Sequence, residues 1–171
     1  MNDFDALNLV LLLARVLLGF TMFAHGYQKV FKGGKLPGTA GWFDSIGMKP
    51  GMLHARMAAT TEMGSGILLA AGLLTSLAGA AYVALMIVAA WTVHRANGFF
   101  IVKSGWEYNM VLAVAGVLIG TVGAGKYSLD HAFDFVDTFS GSSGLLMSLG
   151  VGVLGGIGQL VVFFRPPAAA E

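Results

Sequence analysis

The sequence predicts an all-α membrane protein, a four-helix transmembrane bundle joined to a fifth, C-terminal transmembrane helix. Three observations carry that expectation. Of 171 residues, 56% are apolar and 11% charged, with a mean hydropathy of +0.76, whereas a soluble domain carries about 25% charged residues. The apolar residues gather into five blocks of roughly 17–25 residues, long enough at about 1.5 Å per residue to cross a hydrocarbon core of about 30 Å. Many of the 25 glycines fall inside those blocks, where small residues let helix backbones approach closely. The same composition excludes other classes. Ten Lys and Arg against nine Asp and Glu leave a charge of +1, too balanced for a nucleic-acid binder. With no cysteine, disulfides, iron–sulfur clusters, thiolate metal sites and thiol relays are out of reach.

The first block covers residues 7–31. Asp3 and Asp5 stand where a cleaved signal peptide would carry basic residues, so this block is expected to be retained. The loop at 32–54 has turn pairs at Gly33-Gly34, Pro37-Gly38 and Pro50-Gly51, while Trp42, Phe43 and Ile46 predict a short helix at the membrane surface. The second block, 55–74, and the third, 77–94, are separated only by Thr75 and Ser76 and predict a tight antiparallel hairpin. The loop at 95–107 holds Phe99, Phe100, Ile101 and Trp106 and is apolar enough to dip back as a cover over one end of the bundle. Blocks four and five cover 108–123 and 145–164. Residues 1–130 thus form the bundle, 131–144 an extracytoplasmic linker, 145–164 the additional helix and 165–171 a short tail.

Lys and Arg concentrate on one side: Lys29, Lys32, Lys35, Lys49, Arg56, Arg95, Lys103 and Arg165 against Lys126 alone. Short loops rich in these residues stay in the cytoplasm, which predicts the N-terminus outside and the C-terminus inside.

Ionisable groups within a membrane are costly and are functional candidates by default. His25, one turn before Lys29, Glu62 about 10 Å into the second helix by the helical rise, His94 and Glu107 all fall near the cytoplasmic end. Four antiparallel helices can gather them there, with Gln28, Trp91, Arg56, Arg95 and Tyr108 nearby. Such a group can exchange protons with a quinone head group, hold a metal without thiolates, or bind an anion. It can equally be internal pairing, with Glu62 on Arg56, Arg95 or His25, and His94 and Glu107 marking wet helix ends. No His and acid share the spacing of a helical metal-ligand pair, so a metal stays open. Arg15, in the outer half of the first helix, needs a partner, from Asp130, Asp134, Asp137 or helix-end carbonyls in a structural pairing, with an external anion as the alternative. Gly116 and Gly120 form a GxxxG in the fourth block, and Gly152 and Gly156 another in the fifth. Most such glycines are expected to pack the bundle, while the fifth helix offers a smooth face for another subunit.

In order along the chain stand Arg15 with Gly19, His25-Gly26-Tyr27-Gln28-Lys29, Gly38-Thr39-Ala40-Gly41-Trp42-Phe43, Glu62 with its glycines, His94 before Gly98-Phe99-Phe100, Glu107-Tyr108, and Lys126-Tyr127-Ser128-Leu129-Asp130. This set, over residues 9–130, resembles the DoxX family of small bacterial membrane proteins. The fifth helix lies beyond the family's usual four-helix core. The resemblance implies an inner-membrane bundle, a place in a quinone-linked redox complex such as a thiosulfate:quinone oxidoreductase, and a ligand or proton cluster at His25, Gln28, Lys29, Glu62, His94, Glu107 and Tyr108.

Two function classes follow. One is the membrane subunit of a redox complex, anchoring redox partners and offering a quinone pocket at the cytoplasmic leaflet. There His25 or His94 donates protons and Glu62 or Glu107 relays them, with no covalent cofactor and no stand-alone activity. The other is a non-catalytic assembly subunit, or a homo-oligomer, held to its neighbours by the fifth helix and the aromatic loops. A carrier ranks last, for want of an inverted repeat or broken helix. Walker, GxGxxG and CxxC motifs are absent, so an ATPase, dehydrogenase or thiol oxidoreductase is not supported.

Overall fold

The computed structural model describes residues 3–166, and they are helical with short connections. The chain runs through α1 (Asp3–Phe31), α2 (Lys35–Ser45), α3 (Gly51–Ala71), α4 (Thr75–Ala89), α5 (Glu107–Val122), α6 (Leu129–Ala132), α7 (Gly141–Leu145) and α8 (Gly152–Phe163). Two helices change pitch midway. A π-helix at Ala90–His94 continues α4, and another at Leu146–Val151 joins α7 to α8. Three continuous stretches are long and apolar enough to cross a membrane, Phe4–Phe31, Thr75–Asn97 and Gly141–Phe163. The other two blocks of the sequence are α3, which at 21 residues is long enough but carries Arg56 and Glu62, and the shorter apolar α5.

Close helix approach follows from the glycines. A methyl group at Gly19 would strike the carbonyl of Gly66, and one at Gly66 the carbonyl of Gly19, so α1 and α3 meet backbone to backbone. Gly116 faces Gly79 and Tyr82 of α4, Gly120 abuts Ser148, and Gly152 and Gly156 lie against Ala80, Val83, Ala84 and Ile87. The GxxxG of the fifth block is therefore packed against α4 inside the chain, while Gly150 and Gly158 meet no neighbour and Leu146, Val151, Leu154 and Val161 stand exposed. Tyr82, fully buried, donates to the Leu18 carbonyl at 2.7 Å in a core with Met22, Leu69, Met86, Leu112 and Ile119.

At one end of the bundle, the α3–α4 hairpin turns through Gly72 and Leu74, both with positive φ. Thr75 and Ser76 are not the turn expected between the blocks but the buried first residues of α4. Asp130 caps them, accepting from the backbone N–H of Leu74 at 2.7 Å, that of Thr75 at 3.0 Å and the Thr75 hydroxyl at 2.6 Å. Arg15 lies on the same end, fully buried. It donates to the carbonyls of Leu69, Ala70 and Tyr127 at 3.3, 3.0 and 2.7 Å, so helix-end carbonyls take it rather than an aspartate in direct contact. The segment expected as a linker folds over this end, where the Phe139 carbonyl accepts from Ser76 at 2.6 Å.

The opposite end is closed by α2, the short helix expected at the membrane surface. Its Ala40 and Phe43 are buried with Met48, Ala55 and Val88. The chain leaving α8 is tied there by an antiparallel bridge between Met48 and Phe164 and by a 2.7 Å bond from the Arg165 N–H to the Gly47 carbonyl. Of the expected tail 165–171, the last five residues lie outside the described ones.

Candidate functional site

Beneath α2 lies a cavity of about 270 Å³, just under the range of roughly 300–1,000 Å³ usual for small-molecule sites. Its walls come from the end of α1, from α2 and α3, from α4 with its π-helical extension, and from α8. Most of the lining is apolar or aromatic, including Trp42, Phe43, Met57, Leu85 and Val88. Into this lining open two polar groupings.

The first is an ion pair. Lys29 Nζ lies 2.8 and 2.7 Å from the two carboxylate oxygens of Glu62, joining α1 to α3 across 33 residues of chain. The side chains are 22% and 10% exposed. Glu62 thus pairs with Lys29, and not with Arg56, Arg95 or His25 as the charges alone suggested. Arg56 is exposed and Arg95 lies 4.0 Å over the Trp91 ring. Three ammonium protons shared over two carboxylate oxygens leave donor and acceptor capacity for something else. Removing one partner of such a pair strands the other in low dielectric, which keeps both residues in register.

The second grouping is His54 with Gln159. His54 is fully buried between Phe43 and Phe163, with ring centroids at 6.0 and 4.9 Å. Its Nδ1 lies 3.1 Å from Gln159 Nε2, on α8. The sequence reading passed over both. His54 looked like the last residue of a loop, yet it lies inside α3. Gln159, with Ser148, is one of two hydrogen-bonding side chains in an otherwise apolar block, and that was the available signal.

His25 and Gln28 line a neighbouring, more open depression of about 380 Å³ with Lys29, Lys32, Thr39 and Trp42. Lys29 and Trp42 belong to both spaces and form the partition between them. His25 is close enough to Glu62 to interact electrostatically.

The remaining candidates separate from this group. His94 Nδ1 donates to the Ser104 carbonyl at 2.7 Å, and Glu107 accepts from the Ile101 N–H at 2.9 Å, so both are used to fold the segment between α4 and α5. Tyr108 is partly exposed and lines neither space. A π-helix at Ala90–His94 carries the chain from α4 into that segment. No group of three or more His, Asp and Glu suited to a metal occurs among the described residues.

A family model described as DoxX matches residues 10–95, a shorter stretch than the resemblance read from the motifs. It includes the Lys29–Glu62 pair and His54 and leaves out α5 to α8, and with them Gln159. No curated protein and no solved structure matches the chain.

Proposed function

The chain belongs to the DoxX family and is a small integral membrane protein, and from that premise we propose that it is the membrane subunit of a quinone-linked redox complex. In this reading the cavity beneath α2 receives a quinone-type head group. The observation that carries it is the Lys29–Glu62 pair opening on an otherwise apolar space. An apolar ring fills the walls, the spare Lys29 N–H holds a ring oxygen, and Glu62 exchanges a proton with it. His25, on the outer side of the partition, passes that proton to water. Gln28 and Lys32 make the outer depression polar. The chain sits in the bacterial inner membrane with its N-terminus outside, so this end faces the cytoplasm and a soluble redox partner. Because the protein has no cysteine, single cysteines report the orientation. Lys126→Cys is expected to react with an impermeant maleimide from outside, and Lys103→Cys only after the membrane is opened.

Native mass spectrometry of the tagged protein, extracted from its own membranes in mild detergent, tests the reading. Retained quinone or a copurifying redox subunit supports it. A bare monomer or homodimer free of both contradicts it and leaves the assembly subunit. One observation favours that second reading: Phe100, Ile101 and Val102 stand 62%, 52% and 87% exposed on the segment before α5, an apolar knob suited to a neighbouring subunit.

A further inference from the structure

We infer that the open depression on the outer side of the Lys29–Trp42 partition is a second binding site, which holds the phosphate of a phosphate ester, whether a phospholipid headgroup or a small ester from the water. The inference stands on the depth and charge of that depression and does not depend on what fills the cavity beneath α2.

Depth follows from helix length. The membrane-spanning stretch Phe4–Phe31 has 28 residues, about 42 Å of helix, which matches a bilayer of about 40–45 Å with its headgroup layers included. The last turn of α1 and the residues just after it therefore lie at the level of the lipid phosphates. Tyr27, Phe31 and Trp42 are exposed at this level, where aromatic side chains gather at a membrane–water interface. The Tyr27 and Phe31 rings stand 4.6 Å apart.

Charge follows from the lining. The ammonium groups of Lys29 and Lys32 are part of it, and no carboxylate is. The acids of this end are committed elsewhere: Asp44 accepts from the Gly51 N–H at 2.8 Å, Glu107 from the Ile101 N–H at 2.9 Å, and Glu62 holds Lys29. Lys29 is thus partly neutralised, whereas the Lys32 ammonium makes no ion pair or hydrogen bond among the described residues. The side chains of His25 and Gln28 also make no hydrogen bond there. Ammonium and indole groups only donate, while imidazole and amide each have an N–H to give as well as an acceptor. The Thr39 hydroxyl is already bound to the Lys29 carbonyl at 3.4 Å. A ligand with negative charge and several acceptor oxygens satisfies this wall, and a phosphate ester has both.

Space is left for it by glycines. Gly33, Gly34 and Gly38 complete the lining, and a methyl group added at Gly33 or Gly38 would meet nothing within 4 Å. The volume of about 380 Å³ falls within the roughly 300–1,000 Å³ usual for small-molecule sites.

The test compares dioleoyl phosphatidic acid with dioleoylglycerol, which has the same acyl chains and no phosphate. The full-length protein, stripped of lipid in mild detergent, is titrated with each, and native mass spectrometry counts the molecules retained. Phosphatidic acid is expected to bind as a single saturable copy, at least about tenfold more tightly than dioleoylglycerol, the scale of one hydrogen bond to a charged group. Lys32→Ala is expected to remove most of that advantage. Gly38→Leu, which fills the open space and leaves every charge in place, is expected to do the same. Lys35→Ala removes an equal charge that does not line the depression, and binding is expected to stay within about twofold. Excess glycerol phosphate separates the two sources. Displacement of the lipid assigns the site to small phosphate esters and retention assigns it to headgroups, and either result upholds a phosphate site. Equal retention of the two lipids overturns the inference. So does an equal loss in Lys32→Ala and Lys35→Ala, the mark of diffuse surface charge, or a Gly38→Leu protein that binds as the unaltered one does.

Discussion

The two ends of the bundle each bury charge, and they use it differently. At the Arg15 end, the guanidinium is spent on three backbone carbonyls and the Asp130 carboxylate on two backbone N–H groups and a hydroxyl, with Gly72 packed so tightly on Arg15 that no side chain fits between them. At the Lys29 end, the ion pair faces a cavity, and a second polar pair across α3 and α8 faces the same space. Buried charge that is consumed by backbone fastens helices together, whereas buried charge left beside open volume is available to a ligand. Depth and residue type, all that a sequence displays, do not separate these cases.

The largest expected effect breaks the fastening end. Arg15→Met or Asp130→Ala should cost about 3–5 kcal/mol, the scale for stranding buried polar and charged partners, read as a lowered Tm and poor recovery in detergent. Ligand affinity per folded molecule should be unchanged. Loss of ligand binding at full stability in Arg15→Met would collapse the distinction between the ends.

Next is Glu62→Gln, which strands Lys29 where its side chain is still 22% exposed. A stability loss of about 1–3 kcal/mol is expected, together with ligand binding weakened by about tenfold or more. A third variant, Gly156→Leu, sharpens the role of the fifth helix. Prying α8 from Ala84 and Ile87 should cost about 1–3 kcal/mol by overpacking and should weaken the ligand, because α8 forms part of the cavity wall. Native mass spectra should show no change in subunit composition, since this glycine packs within the chain. The smallest effect is His94→Ala. Losing one hydrogen bond to Ser104 should cost about 1 kcal/mol and leave ligand affinity within about twofold.

The helical, membrane-spanning character was legible because its signals are repeated along the chain, although three stretches and not five are both long and apolar enough to span. Block length and composition mark the helices, and Trp42, Phe43 and Ile46 mark α2 within a loop rich in turn residues. The site was legible in part. Lys29 and Glu62 stand out as charges inside apolar blocks, and three-dimensional neighbourhood was needed to pair them with each other. His94 and Glu107 have the same apparent depth, yet both are taken up by backbone groups of the segment between α4 and α5, and nothing in Ala90–His94 advertises a π-helix. His54 was hidden by its place at a loop boundary, and Gln159 by a block whose glycines drew attention to packing. Thr75 and Ser76 looked like a turn because they are polar between apolar runs, while their hydroxyls serve Asp130 and the carbonyls of Gly120 and Phe139.

The central claim is that the Lys29–Glu62 end holds a ring-shaped ligand in the cavity under α2. Trp42 lines that cavity, so tryptophan emission of the nanodisc-embedded protein, titrated with tetramethyl-1,4-benzoquinone, measures it most directly. The expected result is saturable quenching that disappears in Trp42→Phe and shifts to about tenfold higher concentration in Glu62→Gln. Quenching that rises without saturation and is the same in all three proteins would contradict the claim.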